Sequence, residues 1–271
     1  MYQLFWLIPL GLFVGAFGTL IGAGGGFILV PVLLLLYPEK NPETITAISL
    51  AVVFFNSLSG SAAYARIKRI DYRSGIIFAL ATLPGSILGS LTTPLIPRKT
   101  FNLIFGFFLL IGSIYLFIRP QKKHTNRRAS RFSITRNITD ADGISHTYSY
   151  NLLTGTVISL LVGFLSSLLG IGGGIIHVPV MIQVLNFPVH IATATSHFVL
   201  IFMSLSGSTV HFISGVLADG VIQTLGLAIG VLIGAQLGAR ISKRLKGGWI
   251  IRSLALALGL AGIRILAMFF K

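Results

Sequence analysis

Eight runs of this chain, at roughly 3–37, 44–65, 75–97, 101–118, 152–186, 189–214, 220–239 and 250–270, carry few or no charged residues. A helix needs ~20 apolar residues to cross a hydrocarbon core ~30 Å thick, so each run is a candidate membrane span. Composition agrees: 54% of the 271 residues are hydrophobic and 10% are charged, and the mean hydropathy is +0.89, outside the range of water-soluble domains. The first run lacks a basic leader and a small-residue cleavage site, which reads as a retained span and not a signal peptide. The chain has no cysteine, which excludes disulfides, thiolate catalysis and Cys-ligated metals.

A formal net charge of +15 does not point to nucleic acid, because the bases sit in short clusters between apolar runs, where cytoplasmic topology signals belong. The largest cluster falls in a polar stretch at 119–150 with seven Lys or Arg and two Asp. Such a stretch buries too little apolar surface to fold alone and is expected to be a basic, mobile cytoplasmic connecting loop. It separates a first transmembrane repeat, 1–118, from a second, 151–271.

The two flanks repeat each other. GAFGTLIGAGGGFILVP at 15–31 aligns with GFLSSLLGIGGGIIHVP at 163–179, SLSGS at 57–61 with SLSGS at 204–208, and Gly85-x-x-x-Gly89 with Gly234-x-x-x-Gly238. The first segment of each half is too long for one straight helix, since about 34 residues at ~1.5 Å each give ~51 Å. Glycine, free of a β-carbon, supplies the break. The expected elements are spans over 3–21 and 152–169, followed by short helices over 27–37 and 175–186.

Basic residues then orient the halves. Arg66, Lys68, Arg69 and Arg73 follow the second long span of the first half, whereas the equivalent loop of the second half, Ser214 to Gly220, has no base and the next one holds Arg240, Lys243, Arg244 and Lys246. Placing 66–73, 119–136 and 240–252 all in the cytoplasm requires five segments per half in inverted order, with both termini outside. The expected fold is an all-α polytopic membrane protein of two inverted five-segment repeats, each with a Gly-broken first segment followed by a short helix.

The glycine breaks Gly24-Gly25-Gly26 and Gly172-Gly173-Gly174 each precede a short helix whose first N–H groups lack intrahelical partners and whose dipole is positive at that end. That is the chemistry of an anion site. Close helix packing is the competing role of membrane glycine, and Gly226, Gly230, Gly234 and Gly238, at four-residue spacing, fit it. All six acidic residues lie in loops or at span ends, so the interior lacks the carboxylates of a cation or metal path, and no metal or other cofactor is expected. Asn56, Ser59, Thr195, Ser196, His197 and Ser206 are the candidate polar contacts for an oxyanion, against the ordinary role of such hydroxyls in bonding their own helix. His197 and His211 are candidate proton carriers, because imidazole titrates near neutral pH.

The pattern G-x-GGG-x-x-x-VP occurs twice, from Gly22 to Pro31 and from Gly170 to Pro179. In this the chain resembles the TauE/SafE family, also called the sulfite exporter or 4-toluene sulfonate uptake permease family, over nearly its whole length outside 119–150. The resemblance implies a multi-pass permease of the plasma (inner) membrane for small sulfur-containing anions such as sulfite, organosulfonate or sulfoacetate, with the glycine-rich segments as the substrate region. Its expected partners are a small anionic substrate and the lipid bilayer, with homo-oligomerisation left open.

A secondary transporter exposing a bound oxyanion alternately to each side is therefore the first expectation. An anion channel is the close alternative, although no ring of charge is visible to line a pore. An intramembrane hydrolase pairing Ser206 or Ser208 with His211 is the alternative from another class. Residues so close on one helix rarely permit the attack geometry, so no enzymatic activity is expected.

Overall fold

The structure is a computed structural model and describes residues 2–118, 133–242, 244–245 and 247–269. Six of the seven loop bases, together with Lys243 and Lys246, lie outside the described residues. Five helices come first: α1 (Tyr2–Ile21), α2 (Gly26–Leu36), α3 (Pro42–Arg66), α4 (Tyr72–Thr92) and α5 (Arg98–Ile118). An antiparallel hairpin, β1 (Ser133–Thr139) and β2 (Ser145–Asn151), leads into α6 (Leu152–Leu169), α7 (Gly174–Gln183), α8 (Val189–Ile213), α9 (Val221–Ser242) and α10 (Gly247–Phe269). Among the described residues, five helical segments are individually long and apolar enough to cross a bilayer. Leu80, Leu88, Leu91, Ile229 and Ile233 are exposed on their outer faces, an arrangement suited to acyl chains and not to water.

Packing exchanges partners between the halves: α1 lies on α9 and α4 on α6, while α3 and α8 fill the centre and α5 pairs with α10. Glycine makes these contacts close. A β-carbon on Gly230 would sit 2.6 Å from Leu12 N, and one on Gly89 would sit 2.9 Å from Leu168 N, so α1–α9 and α4–α6 meet backbone to backbone as small-residue membrane seams do.

Helix directions follow from side-chain contacts. Glu43, at the start of α3, lies 3.9 Å from His211 near the end of α8, and Tyr64, near the end of α3, meets the His197 ring edge-on, so α3 and α8 run antiparallel. Trp6 of α1 stacks on Tyr37 just after α2; α2 therefore returns to the end where α1 begins. Asn186, just past α7, donates to Ser149 O of the hairpin, beside the start of α6, so α7 returns likewise. At 11 and 10 residues these short helices span ~16 Å, about half the hydrocarbon core, and re-enter without crossing it. Helix α7 also stops at Gln183 and not at 186, because Asn186 turns with φ 55 ahead of Pro188, the cap of α8.

The mobile loop expected at 119–150 is corrected over its second part, where residues 133–151 form the hairpin. Alternation puts Ile134, Arg136 and Ile138 on one face, opposite Tyr150, Tyr148 and His146. That face borrows the apolar surface the segment lacks: Tyr148 and Tyr150 are buried against Phe187, with ring centroids 4.4 and 5.1 Å away. Asp71, in the α3–α4 turn, is buried beneath it and accepts hydrogen bonds from Arg136 Nη2 at 2.9 Å, Tyr148 Oη at 2.7 Å and Ser74 N at 3.2 Å. Burial opposes the Asp71 charge, but the bonds from Arg136, Ser74 and Tyr148 outweigh it and hold the carboxyl below the usual carboxylate range. Burial, and then the Asp71 charge, pushes the Tyr148 phenol upward. Arg69 pins the hairpin tip by pairing with Asp140 at 3.4 Å.

Candidate functional site

The two glycine breaks lie side by side in opposite directions at mid-depth. A β-carbon on Gly26 would come within 2.7 Å of Gly170 O, and one on Gly174 within 2.6 Å of Ala23 Cα. Val53, near the middle of the 25-residue α3, abuts both Gly24 and Gly172, and Leu200 of α8 abuts Gly24. Gly25 and Gly173 have φ of +84 and +67, left-handed conformations that favour glycine. Reciprocal bonds hold the crossing, from Ser49 Oγ to Gly170 O at 2.6 Å and from Ser196 Oγ to Gly22 O at 3.3 Å. Among the described residues, the N–H groups of Gly25, Gly26 and Phe27 and of Gly172, Gly173 and Ile175 find no backbone acceptor. These are the orphan donors of a helix start.

A polar cluster flanks each break. Beside α2, Thr19 Oγ1 donates to Asn56 Oδ1 at 3.1 Å, Asn56 Nδ2 donates to Gly24 O at 3.0 Å, and His197 Nε2 lies 3.2 Å from the Thr19 hydroxyl. Tyr64 Oη donates to Thr19 O at 2.7 Å, and Gly60 gives the His197 ring its room. Beside α7, the Ser86 and Ser167 hydroxyls are 2.7 Å apart, Ser206 Oγ donates to Ser86 Oγ at 2.8 Å, and Ser86 Oγ lies 2.8 Å from Met203 O. Ser166 Oγ, unpartnered, faces Gly173. Hydroxyls, an amide and free N–H groups around a helix start can replace water about an oxyanion.

Of the residues singled out from the sequence, the crossing gathers Gly24, Gly25, Gly26, Gly172, Gly173, Gly174, Asn56, Ser196 and His197, and reaches Ser206 through Ser86. Three lie elsewhere. Ser59 donates to Leu232 O and ties α3 to α9; Thr195 accepts from Asp71 N at the hairpin end; His211 lies at the opposite end beside Glu43. Ser59 and Thr195 sit on helix faces turned to other elements, whereas His211 lies at the far end of α8 from His197. Thr19, Ser49, Tyr64, Ser86 and Ser167 were not singled out. The signal for two of them was present, since Thr19 and Ser167 occupy matching places in the aligned 15–31 and 163–179 strings.

The Ser–His pair of a hydrolase is not assembled, because Ser206 Oγ bonds Ser86 and Met203 O while neither His211 nitrogen has a hydrogen-bond partner. Among the described residues no three of His, Cys, Asp or Glu cluster as metal ligands. Both glycine breaks are fully buried, so in this conformation the crossing is closed to both sides.

A family model described as "Sulfite exporter TauE/SafE" matches residues 7–265. The probable membrane transporter protein YunE of Bacillus subtilis is 38% identical over 77% of this chain and 78% of its own length. A probable membrane transporter protein of Methanocaldococcus jannaschii is 29% identical over 81% of this chain and 76% of its own, and one from Sinorhizobium sp. is 26% identical over 92% and 88%. No solved structure matches.

Proposed function

The chain belongs to the sulfite exporter TauE/SafE family and is a multi-pass membrane transporter, and from this premise we propose that it is a secondary permease for small sulfur-containing oxyanions such as sulfite or an organosulfonate. The observation that carries the proposal is the buried crossing of two glycine breaks, each starting a half-helix with unpaired N–H groups. Half-helix starts at the midplane are how transporter folds present positive dipole ends to anionic groups. Asn56, Ser196, His197 and the Ser86–Ser167–Ser206 group supply the remaining donors.

In this reading residues 1–118 and 151–271 are inverted repeats, consistent with the antiparallel α3 and α8, and the hairpin end is cytoplasmic. Supporting that side, Ala63, Tyr64, Ile67 and Ile70 pack with Ala239, which brings the basic groups around 66–73 to the same end as Arg240. The inner cluster around His197 and the outer serine cluster would take the anion in turn as the bundle opens to each side.

The test is uptake of labelled sulfite by proteoliposomes containing the purified chain. We expect saturable uptake that unlabelled organosulfonates compete away and that trans-loaded anion accelerates. Uptake equal to that of protein-free vesicles for every sulfur oxyanion tried would overturn the substrate class.

A further inference from the structure

At the end of the bundle remote from the hairpin, a polar pocket of about 320 Å³ is lined by Asn41, Glu43, Thr93 and Arg98 among others. Behind Glu43 lies the His211 ring, fully buried, with Nδ1 3.9 Å from Glu43 Oε1 and with neither nitrogen hydrogen-bonded. Desolvated polar atoms are normally paired, and the partner within reach of this ring is Glu43.

The bases nearby are already engaged, and the other carboxylates, Glu39 beside Arg98 and Asp219, are exposed. Arg98 donates to the carbonyls of Leu34, Pro38 and Lys40 at 3.0, 2.6 and 2.7 Å, and Lys40 Nζ donates to Asp219 O, whose own side chain is exposed. Ser90 of α4 and Thr93 just past its end lie at this level, neither titratable, and His177 of α7 is bonded to Ser159. Glu43 is the acidic group that reaches His211. One turn before His211, the bare face of Gly207 lies against Ser90 Oγ and Ser167 Oγ, at the outer serine cluster.

We propose that Glu43 and His211 form a proton-binding pair loaded from the far-side solvent through this pocket, and that the bound proton accompanies the transported anion. The inference rests on the oxyanion-permease reading. A solvent proton adds to an imidazole lone pair, forming one N–H bond as one O–H bond of hydronium breaks and water leaves, so the pair goes from net −1 to neutral. The deprotonated pair repels an anion from the entrance, and the protonated pair admits it.

Two measurements on full-length protein test this. With sulfite as probe, Glu43→Gln should lower accumulation driven by a pH gradient by about tenfold while leaving sulfite exchange at equal pH within about twofold, whereas His211→Gln, which leaves the Glu43 charge without a counter-charge, should lower both by about tenfold. Infrared titration of the protein without substrate should show a carboxylate or imidazole change between about pH 5 and 8 that both variants lose. Gradient-driven accumulation retained in either variant, or an infrared titration unchanged in both, overturns the proposal. If the parent carries no sulfite in either mode, the permease reading falls instead, and the infrared result alone decides whether the pair holds a proton.

Discussion

The two polar clusters beside the glycine crossing rest on matched backbone but hold different chemistry. Thr19 and Ser167 stand at equivalent places, and Ser49 and Ser196 make reciprocal bonds, yet Met203 occupies the place that matches Asn56, Leu50 the place that matches His197, and His211 the place that matches Tyr64. The α2 side thus has an amide, an imidazole and a phenol, while the α7 side has serine hydroxyls. Backbone geometry at the crossing is constrained by steric contact and tolerates little change, whereas the side chains around it could diverge and make the two faces of one passage unlike.

Replacing the crossing glycines gives the largest effect and breaks the comparison at its matched part. A β-carbon on Gly25 would meet Val14 Cγ1 at 2.6 Å and Val14 O at 2.8 Å, but one on Gly173 meets the flexible Met203 sulfur at 2.8 Å. Left-handed φ costs about 1–2 kcal/mol in both alanine variants, and backbone overlap adds about 1–3 kcal/mol for Gly25→Ala alone. Thermal unfolding of the purified variants should therefore show Gly25→Ala poorly folded and Gly173→Ala folded with a lower Tm. Equal losses would show that the crossing is not sterically asymmetric.

An intermediate effect is expected where the connections after α3 and α8 differ, Asp71 being buried under the hairpin and Asp219 exposed. Asp71→Asn removes charge-assisted bonds worth about 1.5–3 kcal/mol, so amide exchange in β1 and β2 should quicken by at least about tenfold, while Asp219→Asn changes nothing there. The sign with pH follows from a carboxyl held below its ordinary range. Docking is complete above the unfolded value of ~3.9 and weakens only as pH falls through the lower folded value. Exchange that accelerates between pH 8 and 6 would contradict this.

The smallest effect sharpens the divergent part. Asn56→Ala leaves Gly24 O without a buried partner and the Thr19 hydroxyl with His197 Nε2 alone, and should cost about 1–3 kcal/mol. Ser86→Ala should cost about 1 kcal/mol, because Ser206 still bonds Met203 O and the Ser167 hydroxyl is the one group that loses its bond. Urea or thermal midpoints in detergent would rank the two, and a reversed order would mean that the serine cluster is the tighter network.

Much of the fold was legible because apolar runs and glycine triplets act locally. Gly25 and Gly173 mark the breaks without reference to any partner. The hairpin was obscured because its stability comes from outside its own residues: Ile134, Ile138, Tyr148 and Tyr150 alternate as a strand face should, but the basic run before them reads as solvated loop until Asp71 and Phe187 are in place. At the site, Asn56 and His197 stand out as polar groups in apolar runs. Ser59 and Thr195 look equivalent to Ser196 in one dimension and differ only in the helix each one faces. Ser86 carried no mark beyond its neighbour Gly85.

The exchange of partners between halves also governs biosynthesis. Helix α1 leaves the ribosome roughly 200 residues before α9, so its glycine face, Gly11 and Gly15, meets lipid or the insertion machinery until Leu227 and Val231 arrive. The first five helices inserted alone would be a set of unfilled grooves and not a folded module, and α4 waits in the same way for α6. Truncation within 119–150 should then yield a product that is membrane-embedded yet degraded, and quality control would read the absence of the second half directly from the bare seam on the first.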